Sequence, residues 1–177
     1  MENEDLGQKR SRALQERGSE KPETPEAAAE TANLRLLAEK QIDEFMRSVG
    51  YKEPREATDE QGWRHLHLGS ADGQAGVVDV DGELFLRTQA FVMDTPSDGD
   101  LILPLMRELL EINCGLPLAG RLAIAQSKVW AEVMYPAKDA QADAVARCIH
   151  QAMELADRVD DSLVERYGGT TKKRVTP

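Results

Sequence analysis

Residues 77–93 read VVDVDGELFLRTQAFVM, and their interpretation decides the fold. Val77, Val78 and Val80 make a β-branched run that suits a strand. Asp81-Gly82 follows at once. Both residues tolerate positive φ, and such a pair between two strand-like runs is a strong hairpin signal. Beyond it, Leu84, Leu86, Thr88, Ala90 and Val92 share one face of a strand, and Phe85, Arg87, Gln89 and Phe91 share the other. A link this short joins antiparallel strands, because parallel pairing needs a long crossover.

Upstream, WRHLHLGS (63–70) and QAGVVDV (74–80) read as two strands, with the turn expected at Ala71-Asp72-Gly73. Before them lies an amphipathic helix. Thr24 suits its N-cap, Pro25 its first position and Glu26 its positive end. Leu34, Leu37, Ala38, Ile42, Phe45 and Val49 recur at three- and four-residue spacings, and Gly50 is a natural stop. Residues 1–23 are charged and lack aromatics, so the sequence predicts a disordered tail there.

Downstream, LILPLMRELLEINCG (101–115) predicts a second helix with Leu105, Leu109 and Ile112 inward. Pro104 damages a helix interior, so helical bonding is expected to begin near Leu103. LAGRLAIAQ (118–126) and KVWAEVMYP (128–136) predict two more strands around a turn at Ser127-Lys128. Val129, Ala131, Val133 and Tyr135 alternate there with Trp130, Glu132 and Met134. Residues 138–167 predict the longest helix, its stripe running Val145, Cys148, Ile149, Ala152, Leu155, Ala156, Val159 and Leu163. Gly168-Gly169 ends it, and TTKKRVTP (170–177) is a short basic tail. The order α-βββ-α-ββ-α predicts a single α+β domain over residues 24–169, with an antiparallel sheet of about five strands and three flanking helices.

Composition narrows the function. The chain has 177 residues and a net charge of -10. That balance argues against nucleic acid as a partner, since such affinity comes from phosphate neutralisation. It also disfavours an anionic membrane surface. The first residues hold no apolar core of a secretory signal, and no stretch is long enough to span a bilayer. Cys114 and Cys148 form no C-x-x-C pair and sit in apolar helical patterns, which suggests reduced thiols in a cytoplasmic protein, with a disulfide as the alternative.

Four stretches carry a family resemblance: ELFLRTQAFVM, then LILPLMRELLEINCGLPLAGRLAIA, then VWAEVMYP, then AMELADRVDDSLVERYGG. In that order they resemble the YbjN-like family, whose fold is like that of type III secretion chaperones. The resemblance runs from about Leu34 to Gly169 and is clearest from Glu83 onward. It implies a regulatory or chaperone-like, non-enzymatic protein of bacterial type. It carries no catalytic residues across, and it implies homodimerisation by analogy alone.

Several residues are candidates for chemistry. His65 and His67 lie two apart in a strand with Trp63 on the same face, a usable metal pair that still needs further ligands. The alternative is partly exposed strand residues near a sheet edge. Asp157, Asp160 and Asp161, with Glu154, cluster on the polar side of the last helix, as a solvated face or as a patch for a partner. No serine stands in a nucleophile elbow, and Cys148 and His150 are two apart on a helix and do not face each other. Nothing calls for a cofactor.

The most informative set is Phe85, Phe91, Trp130 and Met134, joined by Trp63. If the aliphatic face meets the helices, these residues lie on the other side. An exposed patch of aromatics and Met usually marks an interaction site. The competing reading is that a helix or the N-terminal segment covers them as ordinary core. The function expected is binding of a polypeptide, or of a second copy, through an apolar sheet face. A metal- or small-molecule-sensing domain using His65, His67 and the acidic helix is the alternative.

Overall fold

A computed structural model describes residues 24–116 and 120–170. The tail expected over residues 1–23 and the basic end from Thr171 onward lie outside the described residues.

Helix α1 spans Pro25–Ser48 and starts as its sequence requires: the Thr24 side chain accepts from the Ala27 amide at 3.3 Å, with Pro25 next. Its buried residues are Ala38, Ile42, Phe45 and Met46, whereas Leu37, expected on the inward stripe, is exposed. After a short 3₁₀ turn at Pro54–Ala57 come β1 (Arg64–Leu68), β2 (Ala71–Val80) and β3 (Glu83–Asp94). Asp81 and Gly82 adopt φ of 53° and 84°, both left-handed, which closes the β2–β3 hairpin with two residues. Helix α2 spans Gly99–Cys114, β4 is Gly120–Ala125, β5 is Lys128–Pro136, and α3 is Ala142–Tyr167. Every pairing is antiparallel, in the order β1-β2-β3-β5-β4.

Three boundaries differ from the sequence reading. The first hairpin turns at Gly69-Ser70 rather than at 71–73, because Gly69 supplies a φ of 61° and Asp72 pairs across to His67. Helix α2 begins at Gly99, five residues ahead of Pro104. The Asp98 side chain accepts from the Asp100 amide at 3.0 Å and fixes that start, and burial of Leu105 and Leu109 helps to offset the bond that Pro104 cannot donate. Helix α3 starts at Ala142 because Ala140, with ψ of 78°, separates it from a 3₁₀ turn at Ala137–Asp139.

The core lies between the sheet and its helices. Leu84, Leu86, Ala90, Val92, Val129, Ala131 and Val133 are buried against α1 and α3, whose predicted stripe from Val145 to Leu163 is buried residue for residue. Helix α3 lies mainly on β3 and β5, and α1 beside it on β2 and β3. Burying a side chain of Leu or Val size contributes about 1.5–3 kcal/mol, so this layer supplies most of the driving force. Val92 is an extra residue in β3, where the register with β5 shifts between Phe91 and Met93. The bulge lets both Val92 and Met93 reach the core while Phe91 stays opposite Trp130.

Both edges of the sheet are tied off. On β4, the Leu122 amide donates to Asn113 Oδ1 at 2.7 Å, and Asn113 Nδ2 donates to the Leu122 carbonyl at 3.0 Å. A side chain of α2 thus occupies the place of a neighbouring strand. On β1, the His67 amide donates to the Tyr51 hydroxyl at 2.7 Å, and Thr58 bridges to Arg64.

Candidate functional site

The second face of the sheet follows from strand alternation alone. Residues Phe85, Arg87, Gln89 and Phe91 of β3 point away from the helices, as do Trp130, Glu132 and Met134 of β5. All four large apolar side chains named from the sequence lie here. Each is half-buried rather than enclosed, as is Trp63.

They form two groups. At one end Phe91 and Trp130 are direct cross-strand neighbours, with ring centroids 5.8 Å apart at 76°. This is the edge-to-face arrangement that aromatic quadrupoles favour. Lys128 Nζ stands 5.8 Å from the Phe91 ring and 5.9 Å from the Trp130 ring. At the other end lie Phe85 and Met134. Trp63 lies flat over Gly76, where an added Cβ would stand 3.0 Å from the ring, so only glycine leaves room for it.

Between the groups runs a polar belt that the sequence reading did not foresee. Glu132 is 1% exposed and accepts from Arg87 Nη2 at 2.7 Å and from Arg121 Nη2. Gln89 Nε2 donates to the same carboxylate at 3.2 Å, and Gln74 donates to Gln89 Oε1 at 2.9 Å. Burial opposes the charge of Glu132, but the hydrogen bonds and charges of Arg87 and Arg121 outweigh it and hold its carboxyl below the ordinary value. The face is therefore divided by a charged belt and is not one continuous apolar surface. A signal was present: Glu132 alternates with Trp130 and Met134, and the register sets it opposite Gln89 on one side and Arg121 on the other.

The other candidates are dispersed. His65 pairs with Asp59 at 3.2 Å and His67 with Asp72 at 2.7 Å, so each imidazole already has its own carboxylate. Among the described residues no group of three or more His, Cys, Asp or Glu is arranged to hold a metal ion. Asp157, Asp160 and Asp161 sit on α3, on the helix side of the sheet and away from the aromatic face. Asp157 accepts from the Ser70 hydroxyl, and Asp160 accepts from the Asp161 amide at 2.7 Å. Cys114 and Cys148 are both free thiols; Cys148 is buried, which raises its pKa, whereas Cys114 is exposed at the end of α2 rather than in the core. No described helix is long and apolar enough to cross a membrane.

Residues 97–174 match the family described as T3SS (YopN, CesT) and YbjN peptide-binding chaperone 1. Over that span the chain is similar to this family, and its α+β fold is type III secretion chaperone-like. The matched span holds α2, β4, β5 and α3. A chain in the crystal structure of the ExsC–ExsE complex is similar at 14% identity, with 72% of this chain and 94% of that one covered and a TM-score of 0.56. A chain in the crystal structure of the Yersinia pestis type III secretion chaperone SycH with a stable fragment of YscM2 aligns at 14% identity, over 68% of this chain and 98% of that one, with a TM-score of 0.49. No curated protein is similar enough to this chain to count as a relative.

Proposed function

We propose that this chain is a non-enzymatic, chaperone-like or regulatory module of the cytoplasm that holds a polypeptide on the open sheet face. One observation carries the reading: α1 and α3 pack on one face of the sheet, while Phe85, Phe91, Trp63, Trp130 and Met134 stand half-exposed on the other. The family description, a peptide-binding chaperone, and the complexes in which the similar chain was crystallised support it. The side chains of the face, rather than a sheet edge, would make the contact, since Asn113 and Tyr51 occupy edge groups of β4 and β1.

Trp130→Glu tests this. The indole is half-exposed, so the variant is expected to keep the far-ultraviolet circular dichroism of the wild type. Polypeptide co-purifying with the tagged chain is expected to fall at least about tenfold, as for a central aromatic anchor. Retention of the same polypeptide in the same amount sinks the assignment of this face.

A second copy of the chain is the partner we propose for α2. Leu103, Met106 and Leu110 are 74%, 46% and 64% exposed and fall at i, i+3 and i+7, one stripe along the helix. Ile124 of the neighbouring β4 is also exposed. An unpartnered stripe of this size is unusual on a monomer. Leu110→Lys is expected to shift the sedimentation coefficient from dimer to monomer. A wild type that sediments as a monomer at high concentration refutes this.

A further inference from the structure

We propose that the segment held on the open face is acidic, with an Asp or Glu side chain seated against Arg87 and Arg121 and apolar side chains on the two aromatic groups. This rests on the reading that the face binds polypeptide, and it names what is bound.

The belt is short of negative charge and of acceptors. Two guanidinium groups face one carboxylate, so the cluster carries one excess positive charge in a chain of net charge -10. Glu132 spends one oxygen on each arginine. The one Gln89 oxygen is already taken by Gln74. Among the described residues Arg87 Nε–H has no acceptor; it is buried, so the part of Arg87 open to a ligand is the outer edge of a side chain that is 32% exposed. The Arg121 side chain is 56% exposed, and its Nη2 reaches only Glu132 and the Met134 sulfur. A visiting carboxylate brings two acceptor oxygens and balances the charge, which a neutral amide does not. Such charge-assisted contacts set register and specificity more than raw affinity. A phosphate has the same attraction for arginine. A nucleic acid, however, draws its affinity from many phosphates, and a single excess charge on an acidic chain offers little to them.

Spacing gives the peptide pattern. Along β3, Phe91 lies four residues and Phe85 two residues from Arg87 on the same face. At about 3.3 Å per residue these are ~13 Å and ~7 Å, which an extended peptide matches with the same offsets. The pattern is therefore an aromatic residue, three spacers, an acidic residue, one spacer and an aliphatic residue.

The test uses the chain as it is. Both tryptophans, Trp63 and Trp130, lie on this face, so intrinsic fluorescence reports events there. Three peptides are titrated: Ac-FSTSDSL-NH2, its Asn counterpart and its Lys counterpart, with an oligothymidylate as the fourth arm. The acidic peptide is expected to bind about tenfold more tightly than the Asn peptide, with the advantage shrinking as salt is raised. Arg121→Gln, at an exposed position, is expected to erase that advantage, so that the variant binds the acidic and Asn peptides equally. Equal binding of the acidic and Asn peptides overturns the proposal and leaves the face as a polypeptide site. Preference for the Lys peptide, or tighter binding of the oligothymidylate, overturns it in favour of a basic segment or a nucleic acid. Failure of every arm overturns both readings.

Discussion

Glu132→Gln is expected to lower the stability of the domain by about 3 kcal/mol at neutral pH, because two arginines then lose their only carboxylate while Gln89 loses an acceptor. The carboxylate is buried, whereas Arg87 and Arg121 are partly exposed, so water relieves part of the cost. The pH dependence gives an independent check. The carboxyl of Glu132 is held below its ordinary value in the folded state, so its contribution is present in full above the unfolded-state value. That contribution fades as pH falls through the folded-state value. Glutamine does not titrate, so the gap between wild type and variant should narrow in acid. Urea midpoints measured at neutral pH and in acid decide the matter, and a gap that is constant with pH removes the ionised belt from the account of stability.

Arg64→Ala is the second large effect. Arg64 is 7% exposed on β1, and its Nε donates to Asp43 Oδ1 of α1 at 2.9 Å. Nη1 donates to the Gly62 carbonyl at 2.9 Å, and Nη2 stands 3.6 Å from Glu39. Truncation leaves Asp43 enclosed without its cation, and a loss of about 3 kcal/mol is expected by denaturant unfolding. The double variant Arg64→Met with Asp43→Leu removes both charges and fills the space. It should recover most of that loss if the cost is an unpaired buried charge. A double variant no more stable than Arg64→Ala shows instead that the loss was of packing and of the Gly62 contact.

The architecture was legible because its signals are local. Asp81-Gly82 fixes the hairpin, the alternation around Phe85 and Trp130 fixes the two faces, and the spacing from Val145 to Leu163 fixes the inward side of α3. Less legible were features that need register or a distant partner. Arg64 reads as an ordinary polar strand residue until α1 brings Asp43 and Glu39 to it. Glu132 reads as one polar residue between Trp130 and Met134 until β3 and β4 set Arg87, Gln89 and Arg121 around it. Pro104 points to a later start for α2 than the one the Asp98 cap sets at Gly99. The candidate side chains on the face were found from alternation, but the belt that divides them was not.

The edge contacts bear on the proposed holding of a polypeptide on the open face. A sheet that displays aromatic rings to captured, unfolded chains risks having them zip onto its rim and grow a fibre. Asn113 stands where the next strand would have to hydrogen-bond on one side, and Tyr51 does so on the other. A polypeptide laid across the rings, as proposed, would then find no free template at those positions. Asn113→Ala would unlatch one rim, and its first symptom should be seeded aggregation in crowded solution rather than a lower melting temperature.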